Sequence, residues 1–74
     1  MTVINHFAIN NAKDLLMKPP DGSNANAQSR DRAADYLIMV ADAFINRAHT
    51  NPTSPAGQYL QAESLECRII ASRA

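Results

Sequence analysis

Three side chains could carry nucleophilic or acid–base chemistry near neutral pH: His6, His49 and Cys67. A catalytic Cys–His pair needs the imidazole within hydrogen-bond reach of the sulfur, so that a thiolate forms. Nothing in the spacing brings these residues together, and Cys67 follows an apolar pattern in which a free cysteine usually behaves as a small buried hydrophobe. The chain also lacks the HxxxH and CxxC pairs typical of metal sites. We therefore expect no catalytic, cofactor-binding or metal-binding residue.

Three carboxylates, those of Asp31, Asp35 and Asp42, lie along one side of the longest helical pattern. Together they could form an acidic docking face for a basic partner. The simpler interpretation is a solvated helix face, because Arg32 lies three residues before Asp35 and partly compensates its charge. Three carboxylates are also too few to imitate a nucleic-acid backbone convincingly. The solvated face is the favoured interpretation.

The arginines are the residues with which this chain could bind a nucleic acid: Arg30, Arg32, Arg47, Arg68 and Arg73. A helix-turn-helix would join its two helices by a turn of three or four residues, whereas the connector at 18–27 is longer and carries two prolines. Seven basic and seven acidic residues give a formal net charge of zero, without the basic excess of a dedicated nucleic-acid binder. We expect these arginines to be solvated surface charges.

The element that must position most of these residues is a helix predicted over 28–49, which contains neither Gly nor Pro. Its start is ambiguous, because Ser23, Asn24, Asn26 and Ser29 are competing N-caps. On a helical wheel, one apolar stripe gathers within about 60° of Ala41. The stripe contains Ala34, Leu37, Ile38, Phe44, Ile45 and Ala48, and Val40 and Ala33 widen it on one flank. It predicts the face that packs on the rest of the chain.

A second set of apolar residues falls outside the predicted core stripes. Tyr36, Met39 and Ala43 point roughly 140–200° away from Ala41 on a helix that advances 100° per residue. Leu65 and Ile69 lie outside the main stripe of the last helix. Either these five residues form a contact surface for a second copy or a partner, or they complete an ordinary core of a compact three-helix fold. We predict the contact surface.

Two shorter helices flank the central one. The first is predicted over 3–17, with Thr2 as a candidate N-cap, although the residues from Thr2 to Ile9 also fit a short strand. The other is predicted over 55–72, because Ser54 suits an N-cap and Pro55 the first helical position. Its apolar stripe contains Ala56, Leu60, Cys67, Ile70, Ala71 and Ala74. Its wet face contains Gln58, Gln61, Ser64, Arg68 and Ser72.

The sequence therefore predicts an all-α fold, a single three-helix domain over residues 1–74. A chain below roughly 70–80 residues seldom builds a core worth more than about 3–5 kcal/mol without a staple, a metal or oligomerisation. One cysteine cannot form an internal disulfide, so we expect self-association, most simply as a homodimer. The sequence offers no apolar run of 18 residues and no secretory signal, so we expect no membrane contact and a cytoplasmic location.

These patterns favour a non-enzymatic helical interaction module, such as an adaptor, inhibitor or regulator, that acts by binding another protein. Small accessory proteins of phages or plasmids have this size and character, which is an analogy and not a derivation. The alternative is a small dimeric nucleic-acid-binding regulator, which a basic patch assembled across a dimer would favour. An enzyme comes third, because so short a helical chain has little room for a pocket with supporting residues.

Overall fold

The computed structural model describes residues 4–74 and contains three α-helices: α1 (His6–Met17), α2 (Asn24–Ala48) and α3 (Pro55–Ala71). The predicted all-α, three-helix fold is confirmed. The part of the rival strand that falls within the described residues is not a strand, since residues 6–9 form the first turn of α1. Thr2, the candidate N-cap, lies outside the described residues.

The starts of α1 and α2 differ from the sequence-based prediction because of their caps. The side-chain oxygen of Asn5 accepts hydrogen bonds from the backbone N–H groups of Phe7 (2.9 Å) and Ala8 (3.3 Å), so α1 begins at His6. Ser23 accepts from the N–H of Asn26 at 3.1 Å, so α2 begins four residues earlier than position 28. Each cap satisfies backbone donors that have no partner within the helix.

α3 begins where the sequence predicts. The Ser54 hydroxyl accepts from the N–H of Gly57 at 2.9 Å, and Pro55 occupies the first turn, where a missing N–H costs nothing. The helix ends at Ala71, with Ser72 as its C-cap. The cap at Ser54 and the proline at position 55 both act within four residues, so the sequence alone predicts the start of α3 correctly.

The helices run up, down and up. α2 and α3 form an antiparallel pair, since Ala41 lies beside Ser64 near the middle of each helix and Arg30 lies beside Arg73 at one end. α1 packs against both and runs parallel to α3, because Leu16, near the C-terminal end of α1, also meets Arg73. With 12 residues against the 25 of α2, α1 covers only about half the length of the α2–α3 pair.

The buried face of α2 is rotated from the predicted stripe. Val40 is fully buried, whereas Ile38, which the wheel placed in the stripe, is 38 % exposed. The stripe shifts because α2 has two neighbours, and α1 covers the flank that carries Ala33 and Val40. The remaining buried residues of α2 besides Arg30 are Leu37, Ala41, Phe44 and Ala48.

The buried face of α3 also differs from the prediction. Ser64, assigned to the wet face, is buried, and its hydroxyl donates to the carbonyl of Ala41 at 2.8 Å. The predicted stripe residues Ala56 and Ala74 are exposed. A small side chain lets α2 and α3 approach closely, and the hydrogen bond satisfies the hydroxyl that this approach buries.

Candidate functional site

Arg30 is the most deeply buried charged residue of the described chain, with 5 % of its surface exposed. Its Nη1 donates to the carbonyls of Leu15 (3.0 Å) and Lys18 (2.7 Å), and its Nη2 donates to that of Arg73 (2.9 Å). These carbonyls lie at the C-terminal ends of α1 and α3, where backbone acceptors lack helical partners and carry partial negative charge. The expectation that Arg30 is a solvated charge is wrong.

A second arginine strengthens the same junction. The Nε of Arg73 donates to the carbonyl of Leu16 at 3.0 Å, so the end of α1 is bonded to both other helices. The position of Arg30 gives a sequence signal for its burial, because it lies eleven residues before Ala41, close to the centre of the apolar stripe. A charged residue near the centre of an apolar stripe indicates that its side chain is buried and bonded to a partner inside the protein.

The other four arginines are exposed, and two of them also bond other parts of the chain. Arg68 forms an ion pair with Asp42 between α3 and α2. Arg32 and Arg47 are exposed on α2, as predicted. Arg68 and Arg73 are exposed as well, so four of the five arginines lie on the surface as predicted, and only Arg30 is buried.

The predicted acidic face is divided by the same ion pair. Asp31, Asp35 and Asp42 are all exposed on α2, but the carboxylate of Asp42 contacts the Arg68 guanidinium. The net negative charge of this side of α2 therefore rests on Asp31 and Asp35. Two carboxylates make a weaker docking face than three.

The residues considered for acid–base and nucleophilic chemistry are not brought together. His6 and His49 are exposed, while Cys67 is fully buried in the core among Ile9, Val40 and other apolar residues. Within residues 4–74, no group of three or more His, Cys, Asp or Glu side chains is placed to hold a metal ion. Within the described part of the chain, Cys67 therefore has the surroundings of a core residue.

Lys13 connects α1 to α3 beside this cysteine. Its ammonium contacts the carboxylates of Glu63 and, at 3.3 Å, of Glu66. Burial lowers the pKa of Lys13, but the hydrogen bonds to the two glutamates outweigh this effect and raise it overall. The pKa of the Cys67 thiol is raised, chiefly by burial, and the nearby Lys13 charge opposes that rise only in part. The thiol is held in its neutral, less nucleophilic form.

We expect Cys67 to react slowly with a thiol reagent in the native protein and rapidly in denaturant, because its side chain is fully buried. The raised pKa also has a consequence for stability. Below the unfolded thiol pKa of about 8.5 the free energy of unfolding is unaffected, and above it the unfolded chain ionises first, so stability falls towards the folded pKa. Labelling with the thiol reagent followed by mass spectrometry checks the expected protection of Cys67. Fast labelling of the native protein would contradict it.

A pocket of about 230 Å³ lies beside Arg30, between the α1–α2 connector and the first turns of α2. Its lining contains Pro20, Gly22, Ser23, Asn24, Asn26, Ala27, Arg30, Asp31 and Ala74. The guanidinium there already bonds three carbonyls, and Asp31 places a carboxylate on the wall. This charge arrangement does not select an anion or a cation.

The five predicted contact residues lie on two helices and differ in exposure. Leu65 and Ile69 are each 59 % exposed, one turn apart on the face of α3 that points away from Cys67. Met39 is 43 % exposed on α2. Ala43 is half-buried, and Tyr36 is half-buried and packs against the core, because the covered face of α2 is rotated towards α1.

Among the described helices, none combines the length and apolar character that crossing a bilayer requires. Comparisons of the chain with protein families, curated proteins and solved structures gave no significant match.

Proposed function

We propose that this chain is a non-enzymatic helical interaction module, an adaptor, inhibitor or regulator, that acts by binding a second protein molecule. The observation that carries the proposal is the exposure of Leu65 and Ile69 on the outer face of α3, where 59 % of each residue remains accessible. Large aliphatic side chains one turn apart form an apolar contact that water solvates poorly and a helical partner can cover.

The size of the chain supports the same proposal. In 74 residues the covered core consists mostly of medium and small side chains, including Ala33, Ala41, Ala48 and Ala71. Such a core leaves little stability in reserve, so burying additional apolar surface against another molecule gives a proportionally large gain. Self-association is part of the proposal, as is action in a reducing cytoplasm, where the single cysteine stays a thiol.

The experiment places a charge on each outer face and measures binding. We expect Leu65→Glu to reduce both self-association, measured by light scattering after size exclusion, and the capture of proteins from a native lysate, because it puts an unpaired carboxylate in a desolvated contact. Met39→Glu tests the outer face of α2 in the same way. Phe7→Glu is the matched control, since Phe7 is an exposed apolar residue of α1 that the proposal does not use.

The proposal would be overturned if both of the following outcomes were observed. One is a wild-type protein that stays monomeric over the whole accessible concentration range. The other is a set of captured proteins that does not depend on Leu65 or Met39. Far-UV circular dichroism of each variant separates lost binding from lost folding.

A further inference from the structure

α1 is attached to the rest of the chain by a small apolar contact. Only Ile9 and Leu16 of its 12 residues are buried, whereas α2 and α3 bury seven and five residues. Ala12 and Leu15 are partly buried against the same core. Detaching α1 would therefore expose two large side chains of its own, together with the parts of α2 and α3 that they cover.

The other contacts of α1 are polar. The Lys13 ammonium contacts the carboxylates of Glu63 and Glu66 on α3. Carbonyls in the last turn of α1 accept hydrogen bonds from Arg30 and Arg73. When α1 detaches, water can hydrogen-bond each of these groups, so the bonds contribute less to holding the helix than their number suggests.

The connector between α1 and α2 contains a hinge. Every residue in the range 18–23 is exposed. Pro19 and Pro20 have no backbone N–H to donate. From Asp21 onwards, the hydrogen bonds of the connector run within it and to Asn26 in the first turn of α2. The part of the connector after the prolines therefore moves with α2, and α1 can swing about the prolines without disturbing the N-cap of α2.

α2 and α3 keep their own contact along the half of the pair that α1 does not reach. α1 ends beside Arg73, so the uncovered half is the one next to the α2–α3 connector, where Ala48 and Gly57 are buried. Near the middle of the pair, the Ser64 hydroxyl bonds the carbonyl of Ala41. None of these contacts involves a residue of α1.

We infer that α1 is a strap, a helix that opens as a unit about Pro19 and Pro20 while α2 and α3 remain paired. Opening uncovers the flank of α2 that carries Ala33 and Val40, and with it an apolar surface that the closed chain does not present. Because opening breaks fewer contacts than complete unfolding, the open state lies between the native and unfolded states in free energy. Opening does not depend on what binds the outer face of α3.

Cys67 is a natural reporter of the opening. Glu63 and Glu66, which Lys13 contacts, lie four residues and one residue before it on α3, so α1 passes over α3 at this level. Ile9 of α1 belongs to the same buried cluster as the cysteine. The thiol is fully buried while α1 is in place, and a reagent can reach it when α1 leaves.

The test measures the rate at which a thiol reagent labels Cys67 in the full chain, from zero urea up to the unfolding transition. The logarithm of the rate should rise with urea at less than about half the slope of global unfolding, because the slope follows the surface that each opening exposes. Amide hydrogen exchange of α1 should show the same free energy and slope as the labelling. The amides of residues 37–41 in α2 should show those of global unfolding.

Two variants separate opening of α1 from global unfolding. Ile9→Val removes a methylene group from the buried side of α1 and should raise the labelling rate at zero urea about three- to tenfold. Ala48→Gly is the matched control, because it removes a fully buried methyl group at the end of the α2–α3 pair that α1 does not reach. It should lower the urea midpoint of global unfolding and change the labelling rate at zero urea by less than about twofold.

Three results would overturn the strap. A labelling rate that follows the slope of global unfolding from zero urea would show that Cys67 is reached only when the whole protein unfolds. Labelling that matches hydrogen exchange of the last turn of α3, and not that of α1, would show that α3 frays instead. An unchanged labelling rate in Ile9→Val would show that α1 does not control access to the thiol.

Discussion

Replacing Arg30 by methionine is expected to lower the free energy of unfolding by about 3 kcal/mol or more, because it leaves three backbone acceptors without a donor. The guanidinium bonds the carbonyls of Leu15, Lys18 and Arg73, and methionine offers none of these hydrogen bonds. At roughly 0.05–0.15 kcal/mol per residue, a chain of this length has about 4–11 kcal/mol in total. The loss is therefore a large part of its stability.

Urea unfolding followed by circular dichroism measures this effect. Arg32→Met is the matched control, since Arg32 is exposed on the same helix two residues away, and it should change the free energy of unfolding by less than about 0.5 kcal/mol. Arg30→Lys should fall between the two, because an ammonium retains the charge but cannot present the planar fork that reaches three carbonyls. Equal stabilities for Arg30→Met and Arg32→Met would show that the three bonds contribute nothing.

The parts of the fold that the sequence predicts correctly depend on neighbouring residues. Ser54 and Pro55 determine where α3 begins, and the prolines at 19 and 20 separate α1 from α2. The caps Asn5 and Ser23 act over two or three residues as well. Ser23 is one of four candidate caps in the sequence, so the wrong start of α2 arises from several polar residues that compete for one role, not from a missing signal.

The errors at Ser64 and Ile38 arise from packing between helices. A wheel gives the direction of each side chain about its own helix axis, but not which neighbour lies in that direction or how close it is. α1 covers the Val40 flank of α2, and α2 approaches α3 closely enough to bury the hydroxyl of Ser64. Both facts depend on where three helices lie relative to one another.

The same reasoning explains the candidate surface. The wheel correctly placed Leu65 and Ile69 outside the core, because α3 has its neighbours on one side only. It overestimated the freedom of Tyr36, which packs against the core. The most exposed part of the predicted contact surface is thus on α3.

Gly57→Ala is expected to destabilise the protein by about 2 kcal/mol or more, the upper part of the range for overpacking. At an open helical position the same change would stabilise by up to about 1 kcal/mol, because glycine is the weaker helix former. Gly57 is not open: an added Cβ would overlap the carbonyl oxygen of Asn51 and lie 3.1 Å from the Cα of Pro52. The expected sign is therefore the reverse of helix propensity.

The α2–α3 connector cannot easily move away from that methyl group. The Asn51 carbonyl accepts hydrogen bonds from the N–H of Ser54 (3.3 Å) and from its hydroxyl (2.9 Å), so displacing it disturbs the cap of α3 as well. Gly22→Ala is the matched control. No atom lies near its added methyl, but its φ of +84° should cost about 1–2 kcal/mol through the backbone alone. Thermal and urea unfolding of both variants decide the matter, and a stability of Gly57→Ala equal to or above that of the wild type would mean that the connector yields without cost.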